Sequence, residues 1–493
     1  MESMRGMDYI PSSAIADLVD NSISAGADHV KLQFHLRSEE CPEPLFFLED
    51  NGSGMNHEEL LNAMRLGVIN PKAVRDTKDL GRFGLGLKTA SFSQCRRLTV
   101  YSVQNEKASC LCWDLDQLCA EDENCGWSIL EGAIPELPIL QEHVQNLKQG
   151  TIVIWEKMDR FLPSDIDEDD FFKMISEVEL YLRLYFHRFL EKKPVSFKIM
   201  INDRALKPLN PFMENNPATR TEPEQRIGNG TDQANFQGFI LPHRDKMTPE
   251  EYRDGGALNG WIAHEGFYVY RNERLLLAGS WLGLGYYGEH GKKWNRDEIH
   301  QLVRIRLDIS NKSDDNWKID IRKSSARPPF AIREELTLLA DKVRRKARQV
   351  FVYRGGYEKK KSENSDFLWT PINGTGGKIS YRINQNHPIV KSVLTQAGGM
   401  AEKIRELLLL LENSVPVQKI WLDTAEEKNV VNSEMETLPP KEQMERTRKF
   451  FVWLMESGYT PNNVQEILAE TPPFNSWKNA ISAVKNELLS KGE

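Results

Sequence analysis

The sequence predicts an α+β protein, and three observations carry that prediction. Residues 14–27 read as a helix, with Ile15, Leu18, Val19 and Ile23 recurring at helical spacing. An apolar run that ends in acid at 47–50 and an apolar run at 152–155 read as strands, each bordered by glycines that mark a tight loop. Helix-periodic stretches return at 163–190, 328–353 and beyond 400, with strand-like alternation between the first two. A chain of 493 residues is long enough for three domains, drawn here as 1–162, 163–355 and 356–493.

The first helix carries more than a fold signal. Asp17, Asn21 and Ser24 follow one another at i, i+4 and i+7, which makes a polar stripe. A carboxylate and a carboxamide one turn apart can hold a water and a magnesium ion side by side, as metal-assisted attack on a phosphate requires. Taken alone, the stripe of Asp17, Asp20 and Asn21 is an ordinary solvated face.

Glycine-rich segments then follow in order. Phe47-Leu-Glu-Asp-Asn-Gly-Ser-Gly-Met55 is a strand that ends in an acid and two spaced glycines. Asp50 can accept a hydrogen bond from an exocyclic amine, and Gly52 and Gly54 let backbone approach a flat ring. Gly81-Arg-Phe-Gly-Leu-Gly-Leu-Lys88 places glycines before a helix start, where backbone amides bind phosphate. Gly150-Thr151 opens a strand from which Thr151 can reach the same site. A lone Gly-x-x-Gly-x-Gly string is usually only a turn. Four motifs in sequence, each in a fitting strand or helix context, point to a nucleotide site.

In this order and at these spacings, the segments resemble the N-terminal ATP-binding domain of the GHKL superfamily, which holds DNA gyrase B, the ninety-kilodalton heat-shock chaperones, histidine kinases, MutL and the MORC proteins. The stretch Tyr9 to Ala27 is most similar to the MORC and MutL branch. The resemblance implies a Bergerat-type α/β sandwich over a mixed sheet, a transducer domain of the ribosomal-protein-like βαβ type and a helical C-terminal region, from a prokaryotic source. It implies ATP and Mg2+ as cofactors. Asn21 matches the magnesium-binding asparagine, Asp50 the adenine-reading aspartate, and Gly52, Gly54 and Met55 the adenine loop. Gly81, Gly84, Leu85, Gly86 and Lys88 fall in the phosphate-covering lid, over residues 70–90, and Thr151 matches the threonine that supports adenine recognition. Where the family has a water-activating glutamate, this chain has Asp17, one methylene shorter, and Ser24 replaces a later aspartate. A base must come within hydrogen-bond reach of its water, so slow hydrolysis is expected.

The resemblance continues into the second domain. Pro163 to Asp170 offers capping oxygens and first-turn carboxylates for a helix to about Leu190; Pro194 to Ala205 alternates like a strand; Glu214 to Asn235 reads as a loop; strands resume at Gly255 to Leu277. Phe267 to Leu275 looks like the MutL-type strand with an Asn-Gly-Arg-like turn. Trp317 to Ser325 looks like the strand and loop that return a lysine to the terminal phosphate, with Lys323 the candidate and Lys318 or Arg322 its substitutes. A basic strand end on the surface is the plain alternative.

Lys342, Arg344, Arg345, Lys346 and Arg348 crowd one helix of a chain whose formal net charge is -8. Such a cluster suits nucleic-acid phosphates without reading sequence, or is a solvated helix before a linker. The last domain starts irregularly at 379–388 and continues as helices, with His387 structural. Six cysteines at 41, 95, 110, 112, 119 and 125 read as ordinary thiols, since their spacing departs from paired zinc knuckles. No apolar run is long enough for a bilayer and no leader is visible, so the expectation is a cytoplasmic protein with no membrane partner. The function expected from the resemblance is an ATP-gated clamp that homodimerises on ATP binding. It would act on DNA with a partner nuclease or other effector, in a bacterial defence or restriction setting. A chaperone acting on proteins and an ATP-sensing scaffold with negligible turnover stay open beside it.

Overall fold

The computed structural model describes residues 5, 9–65, 86–118, 129–163, 166–193, 197–285, 293–310, 313, 316–319, 326–352, 368–373, 379–416, 438–471 and 473–490. Helix α1 (Pro11–Ser24) starts with a proline in its first turn, where the missing N–H costs nothing. It stops at Ser24, short of the expected end, and the chain turns into β1 through Ala25 and Gly26.

Strands β1 (His29–His35), β2 (Leu45–Asp50), β3 (Arg97–Gln104), β4 (Lys107–Asp114), β5 (Leu130–Glu131), β6 (Gly150–Glu156), β7 (Lys198–Ile201) and β8 (Arg204–Ala205) form one sheet in the order β5-β4-β3-β6-β2-β1-β7-β8. It is mixed because β1 and β7 run parallel while β1 and β2 run antiparallel. Successive side chains of β2 alternate faces as a strand must. Phe46 and Leu48 join Val153, Trp155 and the apolar side of α1, whereas Leu45 and Phe47 join Ile152, Ile154 and Leu140 of a helix at Pro138–Asn146. Both faces are therefore covered, and the strands read as continuous apolar runs.

The expected domain boundary at 162 falls inside this core. The helix Glu168–Tyr185 packs Phe171, Val178 and Leu182 against the first sheet, and β7 and β8 extend that sheet to Ala205. Its start is the predicted acidic cap: the Asp167 carboxylate accepts the Asp170 N–H at 2.8 Å. It is not continuous to Leu190, since Phe186 leaves helical geometry before a short helix at His187–Glu191.

A second sheet runs β10 (Gln225–Ile227), β11 (Ala234–Ile240), β14 (Val303–Ile309), β12 (Gly266–Arg271), β13 (Arg274–Ser280), with β9 (Arg220–Thr221) beside β11 and β12 parallel to β14. The segment expected as a loop at 214–235 thus holds short edge strands. The expected strand start at Gly255 is instead the end of a helix, Pro249–Gly255, begun by a capping box between Thr248 and Glu251. Residues 316–318 form a turn rather than a strand, and Lys318 has φ 47°.

One face of this sheet is covered by the long helix Phe330–Val352 through Ile332, Leu336, Ala340, Val343 and Ala347. The other face meets Leu184, Leu209 and Phe212, so the helix that serves the first sheet also reaches the second. Beneath the long helix, Glu265 is fully buried and its Oε1 accepts from Trp281 Nε1 at 2.8 Å and Asp297 N–H at 2.9 Å; burial pushes its carboxyl up to about 7.

The chain divides into two compact units, 1–358 and 359–493. In the second, Trp369–Asn373 and Ile379–Ile383 pair as a hairpin, so the expected irregular start is a strand. Helices at Pro388–Gln396, Ala401–Ser414, Pro440–Glu456, Pro461–Glu470 and Lys478–Ser490 follow, the last three enclosing Phe451, Leu454, Val464, Leu468 and Trp477. His387 caps the first of these, accepting the Ile389 N–H. Among the described residues, no helix is long and apolar enough to cross a membrane.

Candidate nucleotide site

Asp50 ends β2 and sits opposite Thr151 of β6. Its carboxylate is 5% exposed and accepts from Ser22 Oγ at 2.8 Å and from the Gly52 N–H at 2.9 Å. Burial pushes the carboxyl above its usual range, opposed by those two bonds and one from the Thr151 backbone. A carboxylate has about four lone-pair positions, so acceptor capacity remains for an incoming amine.

Ser102 of β3 organises the wall behind it. Its hydroxyl accepts the Met55 N–H at 2.8 Å, lies 3.0 Å from the Gly150 carbonyl and is 2.9 Å from Thr151 Oγ1. Gly54 adopts φ 66°, and a Cβ there would lie 2.0 Å from the Val103 carbonyl oxygen. Gly150 adopts φ 130°, and its Cβ would lie 2.0 Å from the Asp50 carbonyl oxygen. The loop after Asp50 is thus seated on β3 and β6 backbone to backbone. The sequence suggested that Gly54 makes room for a ring; what fills the space of its missing Cβ is the protein's own β3.

On α1 the polar stripe divides. Asp17 is 7% exposed and accepts from the Tyr9 hydroxyl at 3.1 Å, Asn21 is exposed, and Ser24 returns its hydroxyl to the Asp20 carbonyl at 2.9 Å. Asp20, between them, is buried and receives Arg274 Nε of the second sheet at 2.7 Å.

Gly86 and Lys88 lie in the helix Gly86–Gln94, while Gly81, Gly84 and Leu85 lie outside the described residues. Lys88 is buried, and its ammonium donates to the Ala63 carbonyl at 2.8 Å and to that of Arg65, at the end of the helix His57–Met64. Burial lowers this amine to about 8. Lys323 and Arg322 lie outside the described residues; Lys318 is exposed.

The basic helix also divides. Lys342, Arg345 and Arg348 are exposed, and Lys346 pairs with Glu222 at 2.6 Å. Arg344 belongs to the core instead: it is 8% exposed, with its guanidinium 4.4 Å from the Trp281 ring centre and 4.6 Å from that of Trp294. Its position on the Ala340, Val343, Ala347 face takes it out of the surface cluster.

Residues 9–151 match the family described as histidine kinase-, DNA gyrase B- and HSP90-like ATPase. They form a GHKL ATPase domain. The chain is 37% identical over 89 residues to ATPase morc-1 of Caenorhabditis elegans, covering 18% of this chain and 10% of that protein. It is 26% identical over 284 residues to the DNA mismatch repair protein MutL of Shewanella piezotolerans, covering 54% of this chain and 39% of that protein. Protein MICRORCHIDIA 4 of Arabidopsis thaliana is 30% identical over 92 residues, covering 18% and 11%. The chain spans well under half the length of these relatives.

The residues of this ATPase domain fit an adenine nucleotide at its base end. Asp50 is a buried acceptor held from behind, beside a helix that presents Asn21 outward. Sequence reasoning missed Ser22, Ser102 and Tyr9, which hold Asp50, the loop and Asp17. Ser22 sits next to Asn21 in the quoted motif and was readable there; Ser102 had no local signal.

Proposed function

We propose that this chain is a magnesium-dependent ATP-binding protein and slow ATPase whose nucleotide-driven closure and dimerisation serve as a switch on DNA, beside a partner nuclease or other effector. The observation that carries this reading is Asp50, buried, fixed by Ser22 and Gly52, and still holding acceptor capacity.

Asp50 would take the exocyclic amine of adenine while Thr151 and Ser102 hold the wall behind it. Asn21 would bind the magnesium ion, and the N–H groups at the start of the helix from Gly86 would receive phosphate. Gly81, Gly84, Leu85 and Gly86 would cover the phosphates, with Lys323 reaching the terminal one. Asp17, oriented by Tyr9, would take the proton of the attacking water. Bound magnesium would supply charge neutralisation at the phosphates. Lys88, whose ammonium donates to the Ala63 and Arg65 carbonyls, would belong with Gly81, Gly84, Leu85 and Gly86 to the phosphate-covering segment.

The DNA part of the proposal is supported by the exposed Lys342, Arg345 and Arg348 and by the similarity to a DNA mismatch repair protein. Sedimentation with ADP, ATP or a non-hydrolysable analogue, with and without duplex DNA, tests it. ATP-specific dimerisation is the expected result, and a monomer in every state overturns the clamp.

A further inference from the structure

We propose that Arg274 is a positioning residue of the nucleotide site, acting through Asp20 to tie the second sheet to the helix that bears Asp17 and Asn21. The proposal rests on the nucleotide reading above for its function, though not for the tie itself.

Arg274 follows the turn Asn272-Glu273, whose φ values of 48° and 67° close the β12–β13 hairpin and set Arg271 opposite Arg274. Its guanidinium is then fixed on several sides. Nε donates to Asp20 Oδ1 at 2.7 Å, Nη1 donates to the Leu275 carbonyl at 2.6 Å, and the group lies 4.1 Å from the Phe186 ring centre. Tyr185 lies 5.5 Å away and is itself stacked on Tyr181 at 3.9 Å. Arg274 is 3% exposed and Asp20 2%.

A merely cohesive contact here would need no charge, since well-packed apolar side chains hold two layers at least as well as a buried ion pair. The pair adds direction. Asp20 must face the second sheet, so its neighbour Asn21, one residue on around the helix, faces solvent; Asp17, three residues back, lies on Asp20's side of the helix. Separating the hairpin from α1 would leave two buried charges without each other, so the two elements move as one. The second sheet is thereby coupled to the nucleotide helix independently of any lysine from 318–323.

Hydrogen exchange and kinetics on the full chain test this, with Asp20→Asn/Arg274→Gln as a neutral pair and Arg274→Lys as a milder variant. Without nucleotide, amides of residues 14–24 are expected to exchange at least threefold faster in either variant; unchanged exchange in both overturns the tie. With Mg2+ and a non-hydrolysable ATP analogue, wild-type residues 268–278 slow at least fivefold, and the neutral pair loses most of that response while residues 14–24 still respond. Its kcat falls at least tenfold with KM within threefold. A neutral pair with wild-type response and kcat overturns the proposal. If that variant fails to fold, an Arg274→Lys protein with full hairpin response does so. A wild type that binds no nucleotide defeats the proposed function instead, and the nucleotide-free arm still decides the tie.

Discussion

Asp50→Asn isolates the base-reading contact with almost no change of volume. The Gly52 N–H can only donate, so it holds the new amide's oxygen; the amide NH2 then faces Ser22, whose hydroxyl can turn to accept. The bonds from Gly52 and Ser22 are kept, yet the site now offers a donor where an adenine amine needs an acceptor. A hydrogen bond to a charged group contributes about 1.5–3 kcal/mol, which corresponds to roughly 10- to 150-fold in affinity. Isothermal titration with Mg-ATP and Mg-GTP should show ATP weakened by that factor and the preference for ATP over GTP largely lost, with an unchanged circular dichroism melt. An Asn variant that binds ATP within threefold of wild type would refute the assignment of Asp50.

Asp17→Asn should abolish phosphate release while ATP affinity stays within about threefold, since the amide cannot take a proton; an unchanged rate removes Asp17 as the base. Reversing Lys342, Arg345 and Arg348 to Glu should weaken DNA binding and lower the salt-dependence slope by about 3, one per lost phosphate contact. Arg344→Glu, by contrast, should lower the thermal melt, because that guanidinium lies between Trp281 and Trp294. Glu265 titrates at about 7 in the native protein against an ordinary 4.5, so the folded state binds this proton more tightly. Its contribution is full below about 4.5 and is lost as pH rises toward 7, by at most about 3 kcal/mol. Glu265→Gln should cancel that loss in denaturant melts at pH 5 and 8.

What the sequence revealed was local. The acid and glycines after β2 announce themselves because strand end, carboxylate and turn are contiguous, and Thr151 needs only the register of the neighbouring strand. Ser102 could not be seen, since nothing around it shows that β3 lies beside β6. Arg274 and Asp20 are 254 positions apart, beyond any periodic signal. Other misses were readable: Thr248-Pro-Glu-Glu251 is a capping box, and Arg344 shares helical spacing with Ala340 and Ala347, which marks it as inward. Charge density along the helix hid that spacing. The helix after residue 162 looks like a fresh start in the sequence, while its apolar face belongs to the first sheet.

The seating of Gly54 on Val103 and of Gly150 on Asp50 has a thermodynamic corollary. Main chain lies against main chain at both points, so the base end is finished before any ligand arrives, and binding there has no loop to order. Affinity for the base should then respond to the chemistry of its edge rather than to temperature-dependent ordering. Mutational scans should find positions 54 and 150 intolerant of every side chain, including those that are chemically inert.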